Sequence, residues 1–347
     1  MKLREFRSDT MTLPTDAMRD AMRDAALGDD VCGEDPTANE LQRVAAAALG
    51  KEAALFVPSG TFGNQCAIGT HARPSDEVIV SETAHVIDHE AGAGPALFGV
   101  QMRAVAPRAE RYLTPDDMAA RIRTGDDVHH PRTRLVILEN ALADGTVMPL
   151  AAMRTVRALT RRHGIAVHLD GARLFNAALA LGVPAAALAA EVDSVTFCLS
   201  KGLGAPIGSV LCGSADFIDR ALHLRKRMGG GMRQVGVLAA AGLVALDSGV
   251  ARLQEDHDNA KLLARLLVEI PGVLIDVPTV QTNMVFCALD EARGRSMAGL
   301  VAFLAQRQIL TYEPGWWGLR FVTSSRVDEG DVRALAAAVR EYLEGRS

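Results

Sequence analysis

Residues 165–212, IAVHLDGARLFNAALALGVPAAALAAEVDSVTFCLSKGLGAPIGSVLC, carry the pattern that decides the fold class. Three short apolar runs, at 165–169, 194–198 and 208–212, have the length and composition of buried strands. Ala- and Leu-rich sequence of helical length separates the first two runs. Short, unbroken apolar strands that alternate with helices are typical of a mostly parallel α/β sheet covered on both faces.

The same alternation continues on both sides of this stretch. Apolar runs predict further strands at 53–57, 77–80 and 135–139, and helices at 14–26, 38–49, 149–162 and 233–247. Thr37 is a candidate cap for the second helix, because Glu40 stands three residues later, the spacing of a capping box.

The pattern changes after residue 250. Strands are predicted near 273–277, 283–288 and 318–323, together with helices near 251–269, 295–307 and 328–344. We therefore expect a large domain over residues 1–250, which includes an N-terminal arm, and a smaller α+β domain over residues 251–347.

Composition excludes several classes of protein. Of the 347 residues 49% are hydrophobic, and the net charge is −5 with acids and bases mixed, which argues against a nucleic-acid binder. The five cysteines show no CxxC spacing, so we expect free thiols and no metal site. No secretory h-region precedes the fold, and no apolar stretch is expected to reach the roughly 20 residues of a membrane span. A cytoplasmic protein that does not contact membranes is predicted.

Ligands of an open parallel sheet bind beyond the carboxyl ends of its strands. There, PSGTFGN at 58–64 opens a helix, and Gly60 and Thr61 could bind a phosphate at its N-terminus, although plain capping is the alternative. Asp170 ends a strand and could hold a protonated ring nitrogen or cap a helix.

Two further elements complete the set. Lys201 lies just past a strand in a Gly-rich loop, which suits a Schiff-base amine, although a surface lysine is the alternative. Arg233 follows three glycines and could reach a phosphate or a partner subunit, or the segment could be a flexible connection. A phosphate-ready helix start, an acid and a lysine in this order are what a pyridoxal 5′-phosphate (PLP) enzyme requires.

Several longer motifs make the sequence similar to one family. They are RSDTMT near the start, GDDVCGEDPT, GKEAALFVPSGT, HLDGARLFNA, CLSKGLGAPIGS and RKRMGGGMRQVGVLAAAG followed by ARLQEDHDNA. Over nearly the whole chain these resemble the low-specificity L-threonine aldolases, PLP enzymes of the aspartate-aminotransferase-like fold type I.

The resemblance implies a role for each matching residue. Lys201 would bind the PLP aldehyde, Asp170 would pair with the ring nitrogen, and Arg173 would lie beside the ring and also bind the substrate. Gly60 and Thr61 would bind the phosphate. The remaining assignments are His85 stacked on the ring, His129 as a second active-site histidine with His130 as the alternative, Ser8 and Arg320 at the substrate carboxylate, and Arg233 at the phosphate of a neighbouring subunit.

The resemblance also implies a reaction. A small β-hydroxy-α-amino acid would be cleaved reversibly to glycine and an aldehyde, with His85 or His129 as the base. A related PLP lyase, a transaldolase, a racemase and a non-catalytic PLP-binding protein are the alternatives. A homotetramer with active sites shared between subunits is implied as well. A monovalent cation near a subunit interface is conceivable, without assigned ligands.

Three positions depart from the family pattern. Cys32 stands where a tyrosine is usual, residues 141–143 are Ala-Leu-Ala where the family carries polar residues, and Ser324 replaces a common histidine. The apolar loop 141–143 predicts a pocket that prefers a bulkier or more apolar β-substituent, for example that of a phenylserine-type substrate.

Overall fold

A seven-stranded sheet forms the centre of the fold in the computed structural model, which describes residues 2–125, 127–290, 294–315 and 317–345. The strands, in chain order, are β1 (Arg4–Glu5), β2 (Ala53–Val57), β3 (Glu77–Ser81), β4 (Gln101–Val105), β5 (Thr133–Glu139), β6 (Ala166–Asp170), β7 (Ser194–Cys198), β8 (Ser209–Gly213), β9 (Val273–Leu274), β10 (Met284–Leu289), β11 (Ile309–Leu310) and β12 (Leu319–Val322). The large sheet has the order β2-β8-β7-β6-β5-β3-β4.

The predicted, mostly parallel sheet is confirmed. Strand β8 runs antiparallel to its neighbours β2 and β7, and the other neighbouring pairs are parallel. Strand β4 has no counterpart in the sequence prediction. It is an edge strand whose first four residues, among them Gln101 and Arg103, are not fully buried, so it lacks the apolar run that marks the inner strands.

Helices cover both faces of this sheet. The helices of the described chain, in order, are α1 (Asp16–Arg23), α2 (Pro36–Leu49), α3 (Gly60–His71), α4 (His85–Asp88), α5 (Ala93–Phe98), α6 (Pro115–Ala119), α7 (Leu150–Arg162), α8 (Leu174–Leu181), α9 (Ala185–Ala189), α10 (Ala215–Arg227), α11 (Gly236–Val244), α12 (Val250–Val268), α13 (Met297–Gln306) and α14 (Glu329–Glu344). Successive strand residues point to opposite faces. Phe56 and Ile79 therefore pack in the core with α2, α7, α8 and α11, whereas Leu55 and Val78 pack in the cores beneath α3 and α10.

The N-cap of α2 corrects the prediction for Thr37. The cap is Asp35, whose side chain accepts the N–H of Ala38 at 2.9 Å, and Pro36 occupies the first turn. Thr37 instead donates its hydroxyl to the carbonyl of Ala26 at 2.7 Å. Proline suits the first helical position because its missing N–H has no intrahelical partner there, which shifts the cap one residue before it.

The C-terminal part contains the three-stranded antiparallel sheet β12-β10-β9, with α12, α13 and α14 packed in the same core. The N-terminus joins this unit, because β1 pairs in parallel with β11 and Phe6 is buried in the same core. The domain boundary near residue 250 stays a prediction.

One helical run corrects the expectation about apolar length. Helix α11, a π-helical turn at Ala245–Gly249 and α12 form one continuous helix, Gly236–Val268, of 33 residues, which is long and apolar enough by composition to cross a membrane. Three of its small side chains, Ala239, Ala241 and Ala245, are buried in the core that also holds residues of α1 and α2.

Candidate active site

The charged residues predicted at strand ends meet at one edge of the large sheet. Asp170 is the last residue of β6, and Lys201 lies three residues after β7. In the parallel register of β5 and β6, Asp170 stands opposite Glu139, the last residue of β5. The charge of Lys201 acts on Asp9, Glu139 and His85, so these side chains lie near the lysine.

Asp9 and Arg173 form a buried ion pair beside this lysine. Arg173 donates to both carboxylate oxygens of Asp9, from Nε at 2.8 Å and from Nη2 at 2.7 Å. The Arg173 side chain is 14% exposed and that of Asp9 is fully buried. Burial opposes ionisation of Asp9, but the Arg173 guanidinium outweighs it and lowers the pKa of Asp9 to about 2. The two charges therefore stay paired at neutral pH.

Arg320 has no carboxylate partner within the described part of the chain. Its Nη2 donates to the carbonyl of Arg7 at 3.3 Å, and its guanidinium lies 5.5 Å from the centre of the Tyr312 ring. Burial, and next the charge of nearby Arg173, lowers the pKa of Arg320. A partly buried guanidinium with unused N–H donors is suited to bind a carboxylate ligand.

Ser8 precedes Asp9 in the sequence and lies directly beside the Asp9–Arg173 ion pair. Its hydroxyl accepts the N–H of Thr10 at 3.2 Å and caps the short 3₁₀ turn Asp9–Met11. The same hydroxyl lies 3.5 Å from Oδ1 of Asp9. A role for Ser8 at the substrate carboxylate stays a prediction.

His85 is held by a buried carboxylate that the sequence reasoning missed. Its Nδ1 lies 3.0 Å from Oε1 of Glu90, and Gln65 donates to Oε2 of the same carboxylate at 2.7 Å. The hydrogen bond to Glu90 raises the pKa of His85 against the effect of burial. Because Nδ1 is engaged with Glu90, Nε2 is the ring nitrogen left to exchange a proton.

A buried amide connects this pair to Asp170. Asn64 Nδ2 donates to Oε1 of Glu90 at 2.9 Å and to Oδ2 of Asp170 at 2.7 Å. The ligand atoms of His85, Glu90 and Asp170 lie within 4.8 Å of one another, a spacing that could hold a metal ion. Since the two amide hydrogens of Asn64 already bridge the carboxylates, hydrogen bonding accounts for this cluster.

Glu139 is a second acid that the sequence reasoning left unassigned. Its Oε2 accepts the backbone N–H of His85 at 3.1 Å. Burial, and next the negative charge of Asp170, raises the pKa of Glu139 well above its usual range. A carboxyl that keeps its proton near neutral pH can donate a hydrogen bond at this edge of the sheet.

The segment at 58–64 forms the predicted helix start. Ser59 caps α3 by accepting the N–H of Phe62 at 3.2 Å, and Gly60 and Thr61 form the first turn. A Cβ added to Gly60 would come within 2.9 Å of the sulfur of Cys198, so this close approach requires glycine. N–H groups in a first helical turn have no intrahelical acceptor and can bind a phosphate.

The structure does not bring His129 to this site within one chain. His129 is exposed, and its N–H donates to Asp127 at 2.9 Å in the loop that precedes β5. This loop lies at the amino end of β5, a strand of seven residues, whereas Glu139 is the last residue of that strand. At about 3.3 Å per residue the two ends are roughly 20 Å apart. A catalytic role for His129 stays a prediction.

The contacts of Arg233 also lie away from Lys201. Its exposed side chain pairs with Asp29 at 2.7 Å, and its carbonyl accepts the N–H of Asp30 at 2.8 Å. Cys32, which replaces the usual tyrosine, is an exposed free thiol in the same turn, Asp30–Cys32. These residues share one surface, and the predicted contact of Arg233 with a neighbouring subunit stays a prediction.

The loop 141–143, which differs from the family pattern, lines a cavity of about 860 Å³ between the large sheet and the C-terminal sheet. Leu142 and Ala143 form part of its wall, and so does Phe286, whose ring lies 5.8 Å from that of Trp317. Phe286 stands opposite Arg320 in the register of β10 and β12, so the two side chains share one face of that sheet. The cavity lining includes none of Arg320, Lys201, Asp170 and His85, so the preference for an apolar β-substituent stays a prediction.

The site residues that the sequence reasoning missed differ in how clearly the sequence indicated them. Glu139 ends an apolar strand as Asp170 does, so the same rule could have found it. Glu90 follows His85 by five residues, a spacing without a local structural meaning. Asp9 pairs with Arg173 across 164 positions of sequence, and no local pattern reports such a contact.

Comparisons with known proteins agree with this geometry. The family model described as beta-eliminating lyase matches residues 5–290. Low-specificity L-threonine aldolase 1 of Arabidopsis thaliana is 42% identical, with 99% of this chain and 97% of the relative covered. Low specificity L-threonine aldolase of Escherichia coli K12 is 42% identical, with 98% and 99% covered.

A solved structure confirms the predicted fold type. The threonine aldolase of Leishmania major superposes with a TM-score of 0.81 at 21% identity, over 98% of this chain and 99% of that one. The strand order, the edge of the sheet that carries the lysine, and the full-length similarity agree with one another. The chain belongs to the low-specificity L-threonine aldolase family, within the β-eliminating lyases.

Proposed function

We propose that this protein binds PLP through Lys201 and cleaves a β-hydroxy-α-amino acid to glycine and an aldehyde. One observation carries the proposal: Lys201, Asp170, the Asp9–Arg173 pair and the unpaired Arg320 belong to one charged cluster at the carboxyl edge of the sheet. The full-length similarity to threonine aldolases supports it.

The donor groups of this edge fit PLP. The first turn of α3 at Gly60 and Thr61 offers N–H groups for the phosphate, and Gly60 allows this turn to pack closely against Cys198. The Asp170 carboxylate can accept a hydrogen bond from a protonated ring nitrogen. Held at this edge, with Lys201 as its attachment point in the resting enzyme, PLP would supply an electron sink for the electrons of the broken Cα–Cβ bond.

The substrate would be oriented by its carboxylate. Arg320 presents unused N–H donors, and Ser8 lies beside the neighbouring Asp9. A bidentate contact of the substrate carboxylate with Arg320 would fix the Cα–Cβ bond relative to the cofactor ring, which favours cleavage of that bond.

His85 is the best-placed base for the β-hydroxyl proton. Its Nδ1 is fixed on Glu90, so its Nε2 can accept a proton while the buried carboxylate stabilises the resulting charge. This arrangement leaves His129 without a role in its own chain. An assembly with shared sites, such as the expected homotetramer, would give Arg233 and His129 a neighbouring site to act on, and light scattering on the purified protein would test it.

A second reaction has one observation in its favour. The family model that matches residues 5–290 is described by β-elimination, in which a β-substituent leaves and the Cα–Cβ bond stays. The products separate the two reactions. An aldolase releases glycine and an aldehyde, whereas an elimination releases a 2-keto acid and ammonia.

The decisive experiment compares the wild type with Lys201→Ala and with Lys261→Ala, a control at an exposed lysine on α12. Each protein is mixed with PLP and its visible spectrum recorded, and glycine and aldehyde are then assayed with L-threonine, L-allo-threonine and β-phenylserine. We expect only Lys201→Ala to lose the spectrum of covalently bound cofactor and nearly all turnover. Turnover that survives in Lys201→Ala contradicts the proposal.

A further inference from the structure

A row of buried polar side chains lies behind Asp170 and takes no part in the proposed reaction. Asp170 Oδ2 accepts from Asn64 Nδ2 at 2.7 Å, and Asn64 Oδ1 lies 3.1 Å from His168 Nε2. His168 Nδ1 lies 2.9 Å from the Ser194 hydroxyl, which in turn lies 2.8 Å from His71 Nε2. The row thus runs between α3 and one face of the sheet, from the carboxyl end of β6 to the C-terminal end of α3.

The position of Asn64 fixes the direction of these hydrogen bonds. Its Nδ2 faces two carboxylate oxygens, of Glu90 and Asp170, so this atom must be the NH₂ end of the amide. Its Oδ1 is then an acceptor, and His168 Nε2 must carry the hydrogen. The reverse amide orientation would place an oxygen against two carboxylates.

Because both histidines stay neutral, the donor and the acceptor of each remaining hydrogen bond in the row are fixed as well. Burial lowers the pKa of His168 to about 3, so its Nδ1 accepts from the Ser194 hydroxyl. Burial lowers the pKa of His71 to about 4, so its Nε2–H donates to the Ser194 oxygen. The His71 ring is held by stacking on Phe217, with 4.6 Å between ring centres.

We propose that this one-way chain of hydrogen bonds positions Asp170 as the acceptor for the protonated ring nitrogen of the cofactor. Each member donates in the direction of the carboxylate, so the chain stabilises its negative charge and holds its orientation. The chain consists of Asn64, His168, Ser194 and His71. These are positioning residues, because only Asp170 would contact the cofactor, and the inference rests on the proposed function.

Binding of two cofactors tests this role separately from general folding effects. The full chain, freed of cofactor, is titrated with PLP and with its 1-deaza analogue, whose ring carries C–H in place of the nitrogen. The ratio of the two dissociation constants measures the contact between Asp170 and the ring nitrogen. A substitution that only loosens the site weakens both ligands alike and leaves this ratio unchanged.

Two substitutions at one position give a matched comparison. His168→Leu removes the donor to Asn64 and should lower the preference for PLP over the analogue at least about tenfold, since a hydrogen bond to a charged group is lost or misdirected. His168→Gln keeps an N–H donor and should retain most of the preference. Thr160→Val removes a buried hydroxyl on α7, away from this chain of hydrogen bonds, and should leave the ratio of the two dissociation constants as in the wild type.

Ser194→Ala is the second route if His168→Leu does not fold. It interrupts the chain between His71 and His168 with the loss of one oxygen atom, and it should also lower the preference. The wild type should prefer PLP over the 1-deaza analogue. If folded His168→Leu or Ser194→Ala keeps that preference, this inference is wrong, and the proposed function is unaffected. A wild type that binds neither compound overturns the proposed function and this inference with it.

Discussion

Replacing Asp9 with Asn should destabilise the fold by about 3 kcal/mol, because it leaves the buried Arg173 guanidinium without a counter-charge. The magnitude follows from the geometry. The pair has two hydrogen bonds, at 2.8 and 2.7 Å, and the side chains are 14% and 0% exposed. Removal of one partner from a buried pair typically costs about 3–5 kcal/mol. The low end applies because Asn keeps one acceptor oxygen for Arg173.

The chain offers a matched control for this substitution. Arg307 and Glu341 also form a two-bonded pair, at 2.7 and 3.3 Å, but their side chains are 29% and 37% exposed. Glu341→Gln should therefore change stability by less than about 1 kcal/mol. Urea denaturation of the three proteins, followed by circular dichroism, gives the free energies of unfolding. If Asp9→Asn were as mild as Glu341→Gln, the account of this pair would be wrong.

Further substitutions and conditions test the remaining parts of the site. The folded-state pKa of Asp9 is about 2, below its unfolded value. The stabilisation that Asp9 contributes is therefore present above about pH 4 and is lost as pH falls toward 2. Asp9→Asn should make the free energy of unfolding less dependent on pH over this range. Arg320→Leu should raise the KM for the amino acid at least about tenfold in steady-state kinetics, with little change in the thermal midpoint. Glu90→Gln removes the carboxylate charge behind the hydrogen bond that raises the pKa of His85, so the acid limb of kcat/KM should move to lower pH; an unmoved limb would exclude His85 as the base. The apolar loop predicts a higher kcat/KM for β-phenylserine than for threonine, and Leu142→Thr should reduce that ratio; a clear preference of the wild type for threonine would count against the loop hypothesis.

Strand ends were the most informative feature of the sequence for the site. Asp170 and Lys201 could be found because each follows an apolar run, and the carboxyl ends of parallel strands meet at one edge. The edge strand β4 could not be found in this way, since Gln101 and Arg103 interrupt its apolar pattern. Thr37 was assigned as a cap from a spacing that ignored Pro36, which fits the first turn better.

Contacts between distant parts of the chain set the limit of the sequence reasoning. Asn64 ends the PSGTFGN segment that the sequence assigns to the site, but its contacts with Asp170 across 106 positions and with His168 across 104 have no local sequence signal. The orientation of its amide depends on two carboxylates that only the fold brings together. His129 shows the opposite limit, because a motif match assigned a role that one chain alone does not accommodate.

The pairing of β1 with β11 has a mechanical consequence. Residues 4–6 are fastened to the C-terminal unit, while Asp9, only a few residues later, is clamped to Arg173 on the large sheet. The short segment between them works as a tether, so any hinge movement of the C-terminal unit would pull directly on the ion pair beside Lys201. Trimming the first eight residues, or fusing a bulky tag close to β1, would therefore disturb the catalytic edge rather than a dispensable tail.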